Sequence, residues 1–524
     1  MERRTEMKQY LLGVDSGTTG VKAKIYDLEG NVQAESYIAY DCVYVKPGWV
    51  EQSVEVLRES LYDCIAMTVK QAASKGITSE EIVSIGFSTQ RNTHMYLDRE
   101  GNILRNGMAI SWQDGRSTKQ EQWMRGFEEK YFAISGLPVS TAFASCKIRW
   151  VMENEPETFE KTAKIISTQE YFLHEFGAQD GWFQDWSNAS QFGFMDIHTM
   201  EISSELCSIW GLERSLFPEL IGSGWKMGIL NRKTAERTGL KEGMAVCSGG
   251  GDQQCAGIGA GVLKEGQTEI TLGTAGISLT ALDSVKYDAN RKLSTSAHAM
   301  PEKKWESEGL QNAAASSYRW LRDNMVPYAQ SMAGFSGRDA YDVLNSYAAK
   351  APVGSGGVIF SPYLAGSACP NFNSQARGSF MGLSLKTDFG CLVRAVLEGV
   401  ALETKAVLKA FENFVEIDEI SLSGGATKSE LWCQIQSDIY NRKVDILLDG
   451  DCSVLGAAIL GGYGAGIFSS MEEAVERMVK KVKSYEPNPE HVKQYEEIFA
   501  IYEDIYRAVN EKNLYSRIAE FQQR

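Results

Sequence analysis

The residues with the clearest chemical potential lie where an apolar strand ends in an acid and a turn of small residues. Leu11 to Gly20 reads LLGVDSGTTG, and Asp15 is the acid. Backbone N–H groups in such a turn can approach phosphate oxygens closely, and a carboxylate beside them can serve the Mg²⁺ that accompanies phosphates. A glycine there can also do no more than close a hairpin. Taken alone, the pattern leaves both a nucleotide phosphate site and a simple turn open.

A second stretch repeats this design near the middle of the chain. Gly266 to Thr280 reads GQTEITLGTAGISLT, again a strand, a Gly/Thr turn and a strand. Two glycine turns also follow short apolar runs: Met244 to Cys247 leads into SGGGD, and Ile420 to Leu422 leads into SGGAT. We interpret these as paired motifs in the same order, which indicates an internal duplication.

The composition sets the class of protein. A chain of 524 residues with 43% hydrophobic and 23% charged residues predicts a globular protein of two large lobes. A formal charge of −15 opposes a nucleic-acid or anionic-membrane partner. The ten cysteines show no C-x-x-C spacing and the five histidines are dispersed, so no metal cluster is predicted. The polar N-terminus has no secretory run and no long apolar stretch follows, so we expect a cytoplasmic protein.

The pattern of elements predicts an α/β architecture. Three strand-like runs, Tyr10 to Val14, Val21 to Leu28 and Val32 to Tyr40, form an expected antiparallel meander. A helix over Val54 to Ala73 and a strand over Ile82 to Ser88 then begin an alternation of helices and strands. The first lobe is therefore predicted to be an α/β sheet structure.

Two helices are predicted in the second half. Thr427-x-x-Glu430 has the capping-box form ahead of an apolar stripe, which places a helix N-terminus against the SGGAT turn, where phosphate or sugar groups of a nucleotide bind well. An ordinary strand-to-helix connection is the alternative. Glu490 to Asn510 carries apolar residues at helical spacing and predicts a helix laid on the second lobe, with a homodimer contact as a further reading.

Taken in order, ten segments resemble the FGGY family of carbohydrate kinases, from about residue 10 to about residue 485. They are VDSGTTG, PGWVEQ, IGFSTQRN, WQDGRS, DWSNAS, GGGDQQ, LGTAG, ARGSFMGL, RAVLEGVA and SGGATKSELWCQI. The resemblance implies two actin-like, ribonuclease-H-like lobes closing over ATP and a sugar or polyol, with one phosphate hairpin on each lobe. We expect an N-terminal lobe at 1–262, a C-terminal nucleotide-binding lobe at 263–490 and a helical extension at 491–524.

Asp252 is the expected general base. It follows a strand and three glycines that let substrate approach, and its carboxylate could take the proton of the acceptor hydroxyl during phosphoryl transfer from ATP. Capping the following helix is the alternative role for an Asp here, and the match to the family's base favours catalysis. Asp15 is expected to hold Mg²⁺, through water, because Mg²⁺ gives up its hydration shell reluctantly.

The resemblance also assigns binding residues on both sides of the base. On the nucleotide side it implies Thr18, Thr19, Lys22, Gly273, Thr274, Ala315, Gly425 and Ser429. On the substrate side it implies Gln90, Arg91, Asn92, Trp112, Asp114 and Gln253. Arg and Asn offer the fixed donors and acceptor that a polyol requires. A surface role for Arg91 and a core role for Trp112 stay open.

Departures from the family pattern narrow the choice of substrate. Glycerol kinases follow Gln-Arg with a glutamate where this chain has Asn92, and their tyrosine falls here on Ala142. Xylulokinases read Q-M-H at that motif, although WQDGRS and ARGSFMGL are closer to their branch. A ketopentose such as xylulose is therefore the first expectation, with ribulose, glycerol or another polyol, and the autoinducer-2 precursor as alternatives; the last rests on the tail GAGIFSSMEEA. The usual G-E-R-x-P segment is Gly366 to Pro370 here, which we interpret as a lost structural ion pair.

A different functional class shares the fold. Actin-like ATPases use nucleotide hydrolysis to change shape and phosphorylate no sugar, and fold alone does not separate the two classes. Arg91-Asn92 and Asp252-Gln253 beside the nucleotide motifs favour the sugar kinase. A Rossmann dehydrogenase is disfavoured because no G-x-G-x-x-G follows the first strand.

Overall fold

The structure is a computed structural model that describes residues 8–178, 181–326, 331, 334 and 337–522. Residues 1–7, on which part of the expectation of no export signal rests, lie outside the described residues. The described chain builds its two largest sheets from separate halves of the sequence, and each sheet has its own apolar core.

The first lobe contains most of the strands. In chain order they are β1 (Tyr10–Ser16), β2 (Gly20–Asp27), β3 (Val32–Ala39), β4 (Val43–Lys46), β5 (Trp49–Ser53), β6 (Ile82–Thr89), β7 (His94–Leu97), β8 (Met108–Ile110), β9 (Lys164–Ser167), β10 (Phe183–Asp185), β11 (Met195–Asp196), β12 (Glu201–Ile202), β13 (Glu219–Ile221), β14 (Lys226–Ile229) and β15 (Ala245–Gly251). The main sheet has the order β14-β15-β6-β1-β2-β3, and a five-stranded sheet has the order β4-β5-β8-β7-β9.

The helices of the first lobe cover and connect these sheets. They are α1 (Val54–Ser74), α2 (Thr118–Met124), α3 (Glu128–Ser135), α4 (Ala144–Asn154), α5 (Pro156–Lys161), α6 (Thr168–Phe176), α7 (Trp186–Phe192), α8 (Ser204–Trp210), α9 (Arg232–Thr238) and α10 (Asp252–Gly259). The longest, α1, begins after Ser53, whose hydroxyl accepts the Val56 N–H, and its buried face packs into the core of the main sheet.

The second lobe has fewer strands and longer helices. Its strands are β16 (Gln267–Leu272), β17 (Gly276–Leu282), β18 (Ser294–Ala297), β19 (Trp305–Gln311), β20 (Ile359–Ser361), β21 (Ser379–Met381), β22 (Glu419–Ser423), β23 (Val444–Leu447) and β24 (Lys481–Tyr485). Its helices are α11 (Ala315–Trp320), α12 (Ala340–Ala348), α13 (Phe389–Phe411), α14 (Glu430–Tyr440), α15 (Cys452–Gly464), α16 (Met471–Met478), α17 (Pro489–Glu511) and α18 (Leu514–Gln522). The main sheet has the order β18-β19-β17-β16-β22-β23-β24.

The two main sheets repeat one pairing pattern, which confirms the predicted duplication. In the first, β3, β2 and β1 are antiparallel, β6 and β15 are added in parallel, and β14 closes antiparallel. In the second, β19, β17 and β16 are antiparallel, β22 and β23 are added in parallel, and β24 closes antiparallel. The predicted meander and both hairpins are confirmed.

The pairing of the glycine turns predicted from sequence is wrong. SGGAT follows β22, which lies beside the hairpin strand β16, and β6 holds the equivalent place beside β1 in the first lobe. SGGAT therefore corresponds to the turn after β6, at Gln90, and the strand equivalent to β15, which leads into Asp252, is β23. SGGGD and SGGAT are similar in sequence without being equivalent in the fold, because glycine turns after buried strands recur within one chain.

The lobes touch through two helices that cross at glycines. A Cβ on Gly456 of α15 would overlap the carbonyl oxygen of Cys255 in α10, and one on Gly259 would overlap the carbonyl oxygen of Cys452. The backbones of α10 and α15 are therefore in direct contact, as only glycine allows. Apolar residues of both helices pack with Leu11 in one shared cluster.

The C-terminal helix α17 lies on the second lobe as predicted. Tyr495, Tyr502 and Ile505 are buried in the core of that lobe. Among the helices of the described residues, none combines the length and the apolar character needed to cross a membrane.

Candidate active site

Three parallel strands of the first lobe deliver their carboxyl ends to one edge of the sheet. Ser16 of β1 is in register with Thr89 of β6, which is in register with Gly251 of β15. Polar residues at the carboxyl ends of parallel strands meet at one edge, where open α/β sheets bind ligands. Asp15, Gln90-Arg91 and Asp252 are therefore brought together from distant parts of the chain.

Asp252 is the first residue of α10, and its carboxylate is held by one oxygen only. Oδ1 accepts the Gln253 N–H at 2.9 Å and lies 3.2 Å from Arg91 Nε. Within the described residues, neither of these contacts involves Oδ2. Gly251 takes the N-cap position and makes no side-chain cap, so Asp252 does not fill the capping role considered as the alternative. One carboxylate oxygen thus stays available to a ligand.

Arg91 links Asp252 to an acid of the second lobe. Its Nη1 and Nη2 donate to the two oxygens of Glu308 at 2.8 and 3.0 Å, and Nη1 also donates to Gln254 Oε1 at 3.3 Å. Glu308 lies on β19, so the pair crosses between the lobes. The guanidinium side chain is only 12% exposed, which excludes the alternative of a surface arginine.

A cavity of about 250 Å³ opens beside these residues. Five predicted substrate-side and catalytic residues line it: Arg91, Asn92, Trp112, Asp252 and Gln253. Aromatic and apolar walls with a few convergent polar groups are typical of small-molecule sites. The fold therefore brings these five predicted residues together around one cavity.

The charges around Asp252 act in opposite directions. Burial raises the pKa of Asp252, the Arg91 guanidinium lowers it, and the Glu308 charge raises it again, with a net increase over the usual Asp value. Raised basicity suits a carboxylate that takes a proton from an alcohol.

Asp15 is suited to a divalent cation that arrives with phosphates. Burial, opposed by a hydrogen bond from Ser88 at 2.6 Å and reinforced by the Asp252 charge, raises the pKa of Asp15 to about 6. A cation would relieve this repulsion between the two acids. Mg²⁺ bound with phosphates takes one or two carboxylates and keeps its waters. No group of three or more potential protein ligands gathers in the part of the chain that the structure describes.

Two predicted substrate residues do not line the cavity. Asp114 is 1% exposed, and its carboxylate accepts from the Val50 N–H at 2.6 Å and from the Arg116 guanidinium at 2.8 Å. Asp114 therefore forms a structural ion pair with Arg116, and its buried position does not support contact with a substrate. Gln90 is also buried, and its amide donates to Gln52 Oε1 at 2.8 Å.

Asn92 and Trp112 line the cavity but have structural partners as well. Asn92 adopts φ 64°, a left-handed conformation that Asn tolerates, and its Oδ1 accepts the Ala144 N–H at the start of α4. Trp112 is 38% exposed, and its indole N–H donates to Thr18 Oγ1 at 2.8 Å. The exposed ring is therefore a wall of the cavity, and the alternative of a core tryptophan is excluded.

The predicted phosphate turns are the two hairpins. Thr18 and Thr19 lie between β1 and β2, and Gly273 and Thr274 lie between β16 and β17. The predicted phosphate contact Lys22 is ion-paired here, with its Nζ 2.6 Å from Asp451 Oδ1. Asp451 also accepts from the buried Lys24.

The predicted adenosine contacts surround the turn after β22. Gly425 is exposed, and a Cβ there would meet open space. The predicted capping box at Thr427 is wrong: Ser429 is the N-cap of α14 and accepts the Trp432 N–H, while Thr427 lies in a 3₁₀ turn and donates to Gly424. Ala315 begins α11, and its N–H donates to Gly273 O at 2.8 Å, beside the second hairpin.

Sequence reasoning missed other residues of the cavity wall, among them Lys292, Glu308, Cys369 and Phe372. Glu306 and Glu308 are two residues apart in β19 and so lie on one face of the strand, and that spacing of acids was an available signal. Cys369 belongs to the altered segment 366–370, which therefore contributes to the cavity wall. The loss of the family's ion pair stays an interpretation, and Ser367 here donates to the buried Glu403.

A buried lysine supports the opposite wall. Lys147 Nζ donates to the carbonyl oxygens of Trp112, Thr141 and Ala142 at 2.7 to 3.2 Å. Burial lowers the pKa of Lys147 to about 7. Three carbonyl partners fix the backbone on which Trp112 and Ala142 face the cavity.

The chain matches a known protein family over both of its lobes. Residues 10–259 match the N-terminal domain of the FGGY family of carbohydrate kinases, and residues 269–465 match its C-terminal domain. The chain is 28% identical over 507 residues to the xylulose kinase of Bacillus subtilis, covering 96% of this chain and 98% of that protein. It is also 28% identical to the gluconokinase of the same organism over 523 residues, covering 98% and 99% of the two chains.

The fold has a close counterpart among solved structures. The ligand-bound xylulose kinase from Lactobacillus acidophilus superimposes with a TM-score of 0.86 at 23% identity, over 96% of this chain and 98% of that one. The predicted fold of two actin-like lobes is confirmed.

Proposed function

The chain belongs to the FGGY family of carbohydrate kinases, and we propose that it transfers the γ-phosphoryl group of ATP to a hydroxyl of a ketopentose such as xylulose. One observation carries the proposal of phosphoryl transfer. Asp252 lines the cavity, and one of its carboxylate oxygens is contacted neither by Arg91 nor by the Gln253 backbone N–H. It lies at the same sheet edge as Asp15 of the first phosphate hairpin.

Phosphoryl transfer needs a base, a hold on the phosphates and the exclusion of water from this protein. Asp252 Oδ2 accepts the proton of the acceptor hydroxyl while that oxygen bonds to the γ-phosphorus and ADP leaves. The two hairpins hold the phosphates through their backbone N–H groups. Asp15 would hold Mg²⁺, which supplies charge neutralisation between the phosphates. Closure of the lobes excludes water and limits wasteful hydrolysis.

The cavity wall favours a substrate longer than glycerol. Ala142 leaves space where glycerol kinases place a tyrosine, and Lys147 fixes the backbone at that position. Asn92 Oδ1 already accepts from Ala144, so its two amide N–H groups and one further lone pair of Oδ1 remain for substrate hydroxyls. The space beside Ala142 suits a sugar longer than glycerol, and xylulose kinases are among the similar proteins.

An aldonate such as gluconate is the second candidate. A gluconokinase is as similar as the xylulose kinase, and Lys292 places an ammonium group in the cavity lining, where it could face a carboxylate. Ribulose, the autoinducer-2 precursor, glycerol and other polyols stay alternatives.

A coupled assay tests the proposal and separates these substrates. We expect ADP release that depends on added xylulose, measured over a panel of ketopentoses, ketohexoses, gluconate, glycerol and the autoinducer-2 precursor. ADP release that depends on gluconate, and that is lost in Lys292→Met, would make gluconate the proposed substrate in place of the ketopentose. ATP hydrolysis that no sugar stimulates would instead favour an actin-like ATPase.

A larger side chain at Gly425 should weaken ATP binding without harming the fold. Position 425 faces open space, so Gly425→Leu should change the free energy of unfolding by less than about 0.5 kcal/mol. Steric overlap with the adenosine should raise KM for ATP about tenfold or more, which equals ~1.4 kcal/mol of binding. Gly126 also lies in an exposed 3₁₀ turn with open space around it, so Gly126→Leu is the matched control. An unchanged KM for ATP in Gly425→Leu would place the adenosine elsewhere.

We further propose a cytoplasmic setting. All ten cysteines are free, and most are buried, which suits a reducing compartment.

A further inference from the structure

Glu308 stands out because it lines the cavity and yet has no role in the reaction described above. Its side chain is 14% exposed, and both of its carboxylate oxygens accept from Arg91. A paired Arg–carboxylate contact of this kind fixes the plane of the guanidinium as well as its position. Glu308 therefore decides which edge of Arg91 faces the rest of the site.

Arg91 faces Asp252 through its Nε side. Arg91 presents Nε to Asp252 Oδ1 at 3.2 Å, whereas both Nη atoms are directed to Glu308. Of the five guanidinium N–H groups, those on Nη1 are shared between Glu308 and Gln254, and one of those on Nη2 is taken by Glu308. Asp252 is thus held through a single oxygen.

Removal of Glu308 would leave Asp252 as the only carboxylate bonded to Arg91. A guanidinium with two free Nη donors prefers paired contact with a carboxylate, which here would occupy Oδ2 as well as Oδ1. The oxygen that should take the proton would then be blocked. Because Glu308 comes from the second lobe, this protection exists only while the lobes are together.

We infer that Glu308 is a positioning residue, which holds the Nη edge of Arg91 and so keeps Asp252 Oδ2 open to the acceptor hydroxyl. The inference rests on the proposed function for the role of Asp252. The arrangement of the Glu308, Arg91 and Asp252 side chains can be tested without a sugar.

A double-mutant cycle on kcat tests the inference in the full-length protein. Glu308→Gln keeps the shape of the side chain and removes the charge. We expect kcat to fall roughly 10–100-fold, because a blocked base loses much of the 10²–10⁴-fold that general bases supply. In Arg91→Gln/Glu308→Gln the misplaced guanidinium is gone, and kcat should recover about fivefold or more over Glu308→Gln, even if KM for the sugar rises.

A role in which Glu308 merely stabilises the fold or binds the sugar directly predicts the opposite. The double variant would then be as slow as Glu308→Gln or slower, and that result would overturn the inference, as would a normal kcat in Glu308→Gln. Glu236→Gln, which breaks an exposed Arg–Glu pair with Arg232, is the control and should keep wild-type kcat.

A crystal structure of sugar-free Glu308→Gln separates this inference from the proposed function. We expect the Nη atoms of Arg91 within about 3.2 Å of both oxygens of Asp252. An Arg91 that keeps its wild-type position would refute the inference, whatever the substrate. If wild-type protein phosphorylates no sugar, the proposed function fails, and the crystal structure still decides the role of Glu308.

Discussion

Replacing Asp252 with asparagine should lower kcat by roughly 10²- to 10⁴-fold, the range that a positioned general base contributes. Asparagine keeps the shape and one acceptor oxygen but has no basic oxygen to take the proton. The substitution should fold, because burial already disfavours the charged form of Asp252 and Arg91 keeps its paired contact with Glu308. Steady-state kinetics with the best sugar of the panel and calorimetric titration with ATP measure the two effects.

ATP affinity should stay near the wild-type value in Asp252→Asn, since the hairpins and the turn at Gly425 are untouched. Asp504→Asn removes a carboxylate from an exposed ion pair on the C-terminal helix and should leave both quantities unchanged. A near-normal kcat in Asp252→Asn would mean that another group takes the proton.

The largest loss of stability should come from Glu398→Ala in the second lobe. Glu398 is 3% exposed and accepts hydrogen bonds from Arg394, Ser355, Tyr495 and the Gly354 N–H, at 2.6 to 3.0 Å. Its removal would leave a buried guanidinium without a carboxylate, which costs about 3–5 kcal/mol. At roughly 2–4 °C per kcal/mol for a lobe of this size, Tm should fall by about 6–20 °C in differential scanning calorimetry.

Glu412→Ala provides the comparison for that measurement. Glu412 directly follows the same helix, α13, and pairs with Arg442 at 3.1 Å, but its side chain is 42% exposed. Such an exposed pair contributes about 0–1 kcal/mol, so Tm should move little. Equal Tm shifts in the two variants would show that the buried hydrogen bonds of Glu398 contribute no more to stability than an exposed ion pair.

The sequence predicts those parts of the site that depend on local pattern. The hairpin at Thr18, the hairpin at Gly273 and the strand that leads to Asp252 each show their structure within about ten residues, and all three were located correctly. Thr427 and Ser429 show the limit of such reasoning. Both are good caps two residues apart, and the 3₁₀ turn that decides between them leaves no clear local trace.

Contacts between distant segments escaped prediction for a physical reason. Glu308 reaches Arg91 across 217 residues of sequence, and only the docking of the lobes creates that pair. Asp114 was assigned to the substrate side from its family motif, whereas in the fold Arg116, two residues later, pairs with it inside the lobe. The chemistry of a carboxylate depends on its partners, and partners are set by the tertiary fold.

The glycine crossing of α10 and α15 gives the molecule a pivot. Backbone touches backbone at Gly259 and Gly456, so no side chain separates the two helices at the point about which one lobe would turn on the other. α10 begins with Asp252, and that pivot therefore lies on the same short helix as the base. A small rotation there would swing the second lobe through a wide arc at the cleft while Asp252 barely moves, so that the phosphate is carried to a stationary base.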